Sequence, residues 1–203
     1  MRVSGIGQAM RAAAKRLELL KGSSGAQLLE VALMLPILLA LVTGAADFGG
    51  AYKLQHDLNN ACREGARFAS SESTADLDCG SCNTVPQSVM AVRDVVANYL
   101  TNDSLTACAV STSATYSSTN QAWTFGSSTS GCTEFSLVIA RGYSFVNGST
   151  GTNVMATNVT LAWPYTWTYG KVAGFLNQNK GKKGNPPALP ATINSGAIME
   201  NLS

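Results

Sequence analysis

From Leu28 to Ala46 the chain is apolar apart from a single charge at Glu30. About 20 such residues cross a bilayer, whereas the core of a removable secretory signal is typically about 7 to 15 long, so this run predicts a membrane helix. Beyond Asp47 the helical pattern continues: Ala51, Leu54, Leu58, Ala61, Gly65 and Phe68 recur at spacings of three and four and draw one stripe. With no proline between Pro36 and Pro86, one helix from about Ala26 to Ser70 is expected. Pro36 removes a backbone donor and favours a kink or local melting, which a bilayer tolerates.

Glu72 to Thr84 reads as a loop, rich in Ser, Thr, Asp and Gly. Pro86 then suits the first turn of a second helix, with Val89, Val92, Val96 and Leu100 on its apolar face and Asn102 and Asp103 as its stop. After that the period changes to two. Phe135, Leu137, Ile139, Tyr143 and Phe145 alternate with small or polar residues, a turn follows around Asn147 and Gly148, and Val159, Leu161 and Trp163 alternate in their turn. This predicts a hairpin. Leu105–Thr112 reads as an edge strand, and Ile193, Ala197 and Met199 as a strand near the C terminus, with an exposed Lys- and Pro-rich loop at 180–187 before it. The fold class expected is α+β: a long N-terminal transmembrane helix continuing into a small domain with a second helix and an antiparallel sheet. The organisation expected is a basic segment at 1–25, a membrane helix at 26–46 and one outer domain at 47–203.

Charge sets the orientation. Arg2, Arg11, Lys15, Arg16 and Lys21 precede the apolar run against Glu18, and short basic flanks stay cytoplasmic, which places 47–203 outside. The formal net charge of +2 conceals a balance from Asp47 onward, where nine basic residues meet ten acidic ones. That leaves no basic face for nucleic acid.

All five cysteines follow the apolar run, in a compartment where disulfides persist. Cys108 and Cys132 bracket a Ser/Thr-rich loop whose closure contributes roughly 3 to 4 kcal/mol in the chain-entropy account. Cys79 and Cys82 are candidates for a second, tighter ring. Cys62 is then left over: either buried, or paired between subunits, or a sign that the pairing is otherwise.

Little here points to catalysis. Cys79-Gly-Ser-Cys82 has redox spacing without the flanking strand and helix that chemistry uses, and a local structural disulfide explains it better. A zinc site built on the same pair lacks ligands, since His56 is the one histidine and belongs to the long helix, so no metal or other cofactor is expected. Arg93, Asp94 and Glu134 read as solvated or edge charges, and no phosphate loop or serine elbow is present. Of the aromatic residues, most are explained by core packing. Trp167 and Tyr169, just past Pro164 at a strand end, are the candidates for an exposed binding surface.

The stretch Gly25-Ala26-Gln27-Leu28-Leu29-Glu30-Val31 resembles the processing site of type IV pilin precursors: a basic leader, a glycine, four residues, then a glutamate opening an apolar helix. Its continuation, Glu30 to Pro36, then Asp47-Phe-Gly, then Asn60-Ala-Cys-Arg-Glu-Gly-Ala-Arg67-Phe, is similar to the TadE-like family of minor pilins or pseudopilins of tight-adherence (Flp-type) pili. The resemblance covers about residues 25 to 69. Val159 to Tyr165 and Thr192 to Glu200 resemble the family's later strands more loosely, and the chain departs at Val31, often Phe, and Cys62, often Ala.

The resemblance implies a non-enzymatic inner-membrane protein that a prepilin peptidase cuts after Gly25, leaving Ala26 as the mature N terminus. Its implied partners are that peptidase, other pilins, the pilus assembly platform and the inner membrane. Ala26 and Glu30 are four apart, hence on one helix face, so a new ammonium at Ala26 offers the carboxylate a partner that lipid does not. In a growing pilus the partner is instead the Ala26 ammonium of a neighbouring subunit. Two other readings stay open: a permanently anchored extracytoplasmic binding module, and a secreted protein cut after Ala46, where Gly44-Ala45-Ala46 offers small residues.

Overall fold

A computed structural model describes residues 23–78, 84–167 and 192–202. Helix α1 spans Ser23–Ser71 and carries Pro36 inside it; α2 spans Gln87–Asn102. Five strands follow: β1 (Val110–Ser117), β2 (Ala122–Ser127), β3 (Ser136–Val146), β4 (Asn153–Pro164) and β5 (Thr192–Glu200). The class is α+β, as expected. By their contacts the residues fall into two compact units, Met1–Ala46 and Asp47–Ser203.

In the second unit each strand pairs antiparallel with the next, giving the meander β1-β2-β3-β4-β5 with β1 and β5 at the edges. The pairings Trp123 with Ile139, Phe125 with Leu137, Leu137 with Leu161 and Ile139 with Val159 line up one buried face. Against it pack Leu54, Leu58, Ala61, Cys62, Ala66 and Ala69 from α1 and Val89, Val92, Val96 and Leu100 from α2. The core therefore lies between the sheet and two helices. At Gly65 helix α1 comes close to α2: a Cβ there would meet Val96 Cγ2 at 2.5 Å.

The ends of the helices account for their own polar groups. Asp76, on a short 3₁₀ turn at Ala75–Leu77, accepts the Ser88 backbone N–H and hydroxyl, each at 2.8 Å, and so caps the N-terminus of α2 with a negative charge. The other end closes in a Schellman turn, with Leu105 N–H donating to Leu100 O at 2.8 Å, Ser104 N–H to Thr101 O at 3.1 Å, and Ser104 at φ 64°. That turn corrects the expected Leu105–Thr112 strand. Leu105 belongs to the helix end, and the Ala109 carbonyl is taken by Ser127 Oγ at 2.9 Å and Ser128 N–H at 2.9 Å, so β1 begins only at Val110.

Two further departures come from the sheet. β2, which the alternation did not single out, holds Trp123 and Phe125 in the core, 1% and 0% exposed. In β3 the register shifts between Ala140 and Tyr143: the three steps from Ala140 to Tyr143 face the two from Asn158 to Ala156 on β4. This extra residue is a β-bulge: Arg141, two residues after Ile139, keeps the inward phase and is buried, while Phe145 beyond the bulge is exposed rather than on the inner face its alternation predicts. Arg93 also differs from the solvated charge expected. Besides its ion pair with Asp94, it donates to Ser111 O at 3.0 Å and Val110 O at 2.7 Å, tying α2 to β1.

Candidate functional site

Within the first unit, α1 runs from Ser23 through Gly25, Ala26 and Glu30, so the residues of the expected processing site are helical. Gly25 is half-buried and Glu30 exposed. Every leucine, isoleucine, valine and methionine side chain from Leu28 to Val42 is more than half exposed. Soluble proteins rarely leave a continuous apolar surface of that extent uncovered, and its length and composition suit a bilayer. Among the described residues α1 is the one helix long and apolar enough to span a membrane. Thr43, inside the run, donates its hydroxyl back to Leu39 O at 2.9 Å and Ala40 O at 3.1 Å, which satisfies it without water.

Between Lys21 and Lys53 the sequence carries Glu30 and Asp47 as its charged side chains. In lipid, Glu30 therefore has no basic side chain on its own stretch of helix to answer it.

The segment Asn60–Phe68 shows why its residue types recur as they do along a helix. Ala61, Cys62, Gly65 and Ala66 face the core, where small side chains let α1 sit close to α2 and β4, while Arg63 and Arg67 point to solvent. Arg67 donates to Glu64 at 2.7 and 3.1 Å and holds that carboxyl below its usual range. An exposed i,i+3 pair of this kind is screened by solvent and contributes little to stability.

Cys108 and Cys132 are joined by a disulfide, with Cα atoms 5.8 Å apart, which ties the segment before β1 to the loop between β2 and β3. Cys62 is a free, fully buried thiol whose Sγ lies 3.7 Å from Ser195 O, and burial pushes it up to about 12. It is therefore held protonated and away from any partner subunit. Cys79, Cys82 and Tyr169 lie outside the described residues.

Trp167 is half-buried. Its ring meets Phe48 at a centroid distance of 5.5 Å and Tyr165 at 4.9 Å, both edge-on. Tyr165 Oη donates to Asp47 O at 3.0 Å, which ties the chain after β4 to α1 at the start of the second unit. Phe48, Tyr52 and Trp167 line a groove of about 470 Å³ between α1 and the start of β5. The alternation that identified β3 and β4 carried no sign of this groove, because Phe48 and Trp167 are distant in sequence. His56 is exposed, and no cluster of His, Cys, Asp and Glu suited to a metal is found among the described residues.

Residues 25–67 match the family described as TadE-like protein. No curated protein and no solved structure gives a significant match to the chain.

Proposed function

Starting from a chain whose residues 25–67 are those of a TadE-like protein, we propose that it is a minor pilin or pseudopilin of a tight-adherence pilus. The family segment associates the chain with the Tad pilus, and one observation carries the finer reading. The match begins at the residue where a pilin-type cut would fall, and the helix that follows exposes a continuous apolar surface bearing one carboxylate, Glu30.

In this reading residues 26–46 anchor the chain in the inner membrane, and 47–203 lie outside the cytoplasm, in keeping with the basic residues before Gly25. A prepilin peptidase removes 1–25. The ammonium exposed at Ala26 is then available to a Glu30, within the subunit before assembly and between subunits afterwards. A carboxylate in hydrocarbon is costly, on the order of 3 kcal/mol at the bilayer centre and less toward the end of a span where Glu30 lies, so pairing it favours leaving the lipid only where subunits come into register. The role is structural rather than enzymatic: the outer unit engages other pilins and the assembly platform, in support of adherence or secretion.

The test is Glu30→Ala in the native host. The expected result is normal insertion of the chain in the inner membrane with pilus assembly lost or strongly reduced. Normal piliation in that variant would sink the proposal.

A further inference from the structure

The groove beside α1 carries an inference that rests on the membrane-spanning reading of residues 26–46. Phe48 and Tyr52 are 62% and 74% exposed although both are large aromatic side chains. Phe48 and Tyr52 are four apart, hence on one helix face, and in sequence Phe48 follows the last residue of the apolar run, Ala46, by two positions. The groove is graded along its length. Its end nearest Asp47 is built of Phe48, Ala51 and the Trp167 ring, while Gln55 and Asn194 line the end farther along the helix, and among the described residues no charged side chain lines it.

Tyrosine and tryptophan rings concentrate where acyl chains give way to headgroups, because they offer an apolar body and a polar edge to a medium with the same gradient, and the Phe48 ring adds apolar surface beside them. We propose that this groove is a lipid contact: Phe48, Tyr52 and Trp167 lie in the headgroup boundary of the outer leaflet, and the groove takes the upper part of a phospholipid. The stitch between Tyr165 and Asp47 holds the Trp167 ring against α1 and presents it, with Phe48, as one unit.

Three tryptophans make the proposal readable, since Trp123 and Trp163 are buried, 1% and 5% exposed, and Trp167 is the one bordering the groove. The full chain is reconstituted into phosphatidylcholine vesicles, recovered by flotation, and compared in plain lipid and in lipid brominated either high on the acyl chain or near its end. The expected result is quenching of at most one tryptophan's share of the three, stronger from the high bromine, and abolished in Trp167→Phe. Flotation with equal quenching in wild type and Trp167→Phe, or stronger quenching from the deep bromine, overturns the proposal, whether a second copy or solvent then covers the groove. Failure to float defeats the membrane-spanning reading and the proposal with it.

Discussion

Arg141 donates from its guanidinium to the backbone carbonyl of Ala69, 2.6 Å away, and so closes the C-terminal end of α1 from the middle of the sheet. The same side chain reaches Glu72 O at 2.9 Å and Ser73 O at 3.3 Å, and Leu202 N–H donates to Ser70 O at 3.0 Å. A helix end leaves its last carbonyls without intrahelical donors, and a cation there also meets the negative end of the helix dipole. Burial draws the guanidinium below its usual value, opposed by the charges of Asp76 and Glu72, yet it stays protonated.

Arg141→Ala therefore leaves several carbonyls without their donor and is expected to cost about 3 kcal/mol of stability. Arg141→Lys, a point donor in place of a planar fork, should recover only part of it. Urea unfolding of the full chain in detergent, followed by the emission of the buried Trp123 and Trp163, measures both. Unchanged midpoints would show that the helix end is satisfied without the arginine.

Gly65 predicts a different kind of loss. A methyl group at this position would overlap Val96, so Gly65→Ala should destabilise by about 1–3 kcal/mol despite the better helix propensity of alanine. Adding Val96→Ala makes room, and the double variant should lose less than the sum of the two single changes. A stabilised Gly65→Ala would mean that α1 and α2 sit farther apart than described.

Cys62 links stability to alkaline pH. Its thiol is raised to about 12 in the folded chain, against roughly 8.5 for an unperturbed cysteine. A group whose folded pKa is raised contributes stability that is complete below the unfolded value and is lost as pH rises toward the folded one. Unfolding free energy should thus fall between about pH 8.5 and 12, by at most roughly 1.4 kcal/mol per unit from this group. Cys62→Ala lowers the whole curve through its small cavity but flattens this slope. Equal slopes in the two proteins, compared from pH 8 to 11, would show that the thiol is not buried as described.

What the sequence made legible follows the two periodicities. α1, α2 and the β3–β4 hairpin were readable because their apolar residues repeat at 3.6 or at 2, and the small-residue stripe from Ala51 to Gly65 faces the core. β2 was missed because it is only Ala122–Ser127, holds Gly126, and is set between a 3₁₀ turn and a serine-rich loop. Arg141 was missed because it takes an inward position, two residues after Ile139, that an apolar pattern does not assign to a cation. The resemblance located the Gly25 to Glu30 segment, where a charge inside an apolar run is visible in one dimension. The aromatic groove, assembled from α1, the segment after β4 and β5, is visible only in three.

The central claim is most directly tested by the intact mass of the membrane-associated protein, purified from cells with an active prepilin peptidase. A chain beginning at Ala26 is the predicted result, and would place the new ammonium one turn from Glu30. A chain that still begins at Met1 would contradict pilin-type processing and favour a fixed anchor. A chain that begins at Asp47 would make the apolar helix a discarded signal and overturn the account.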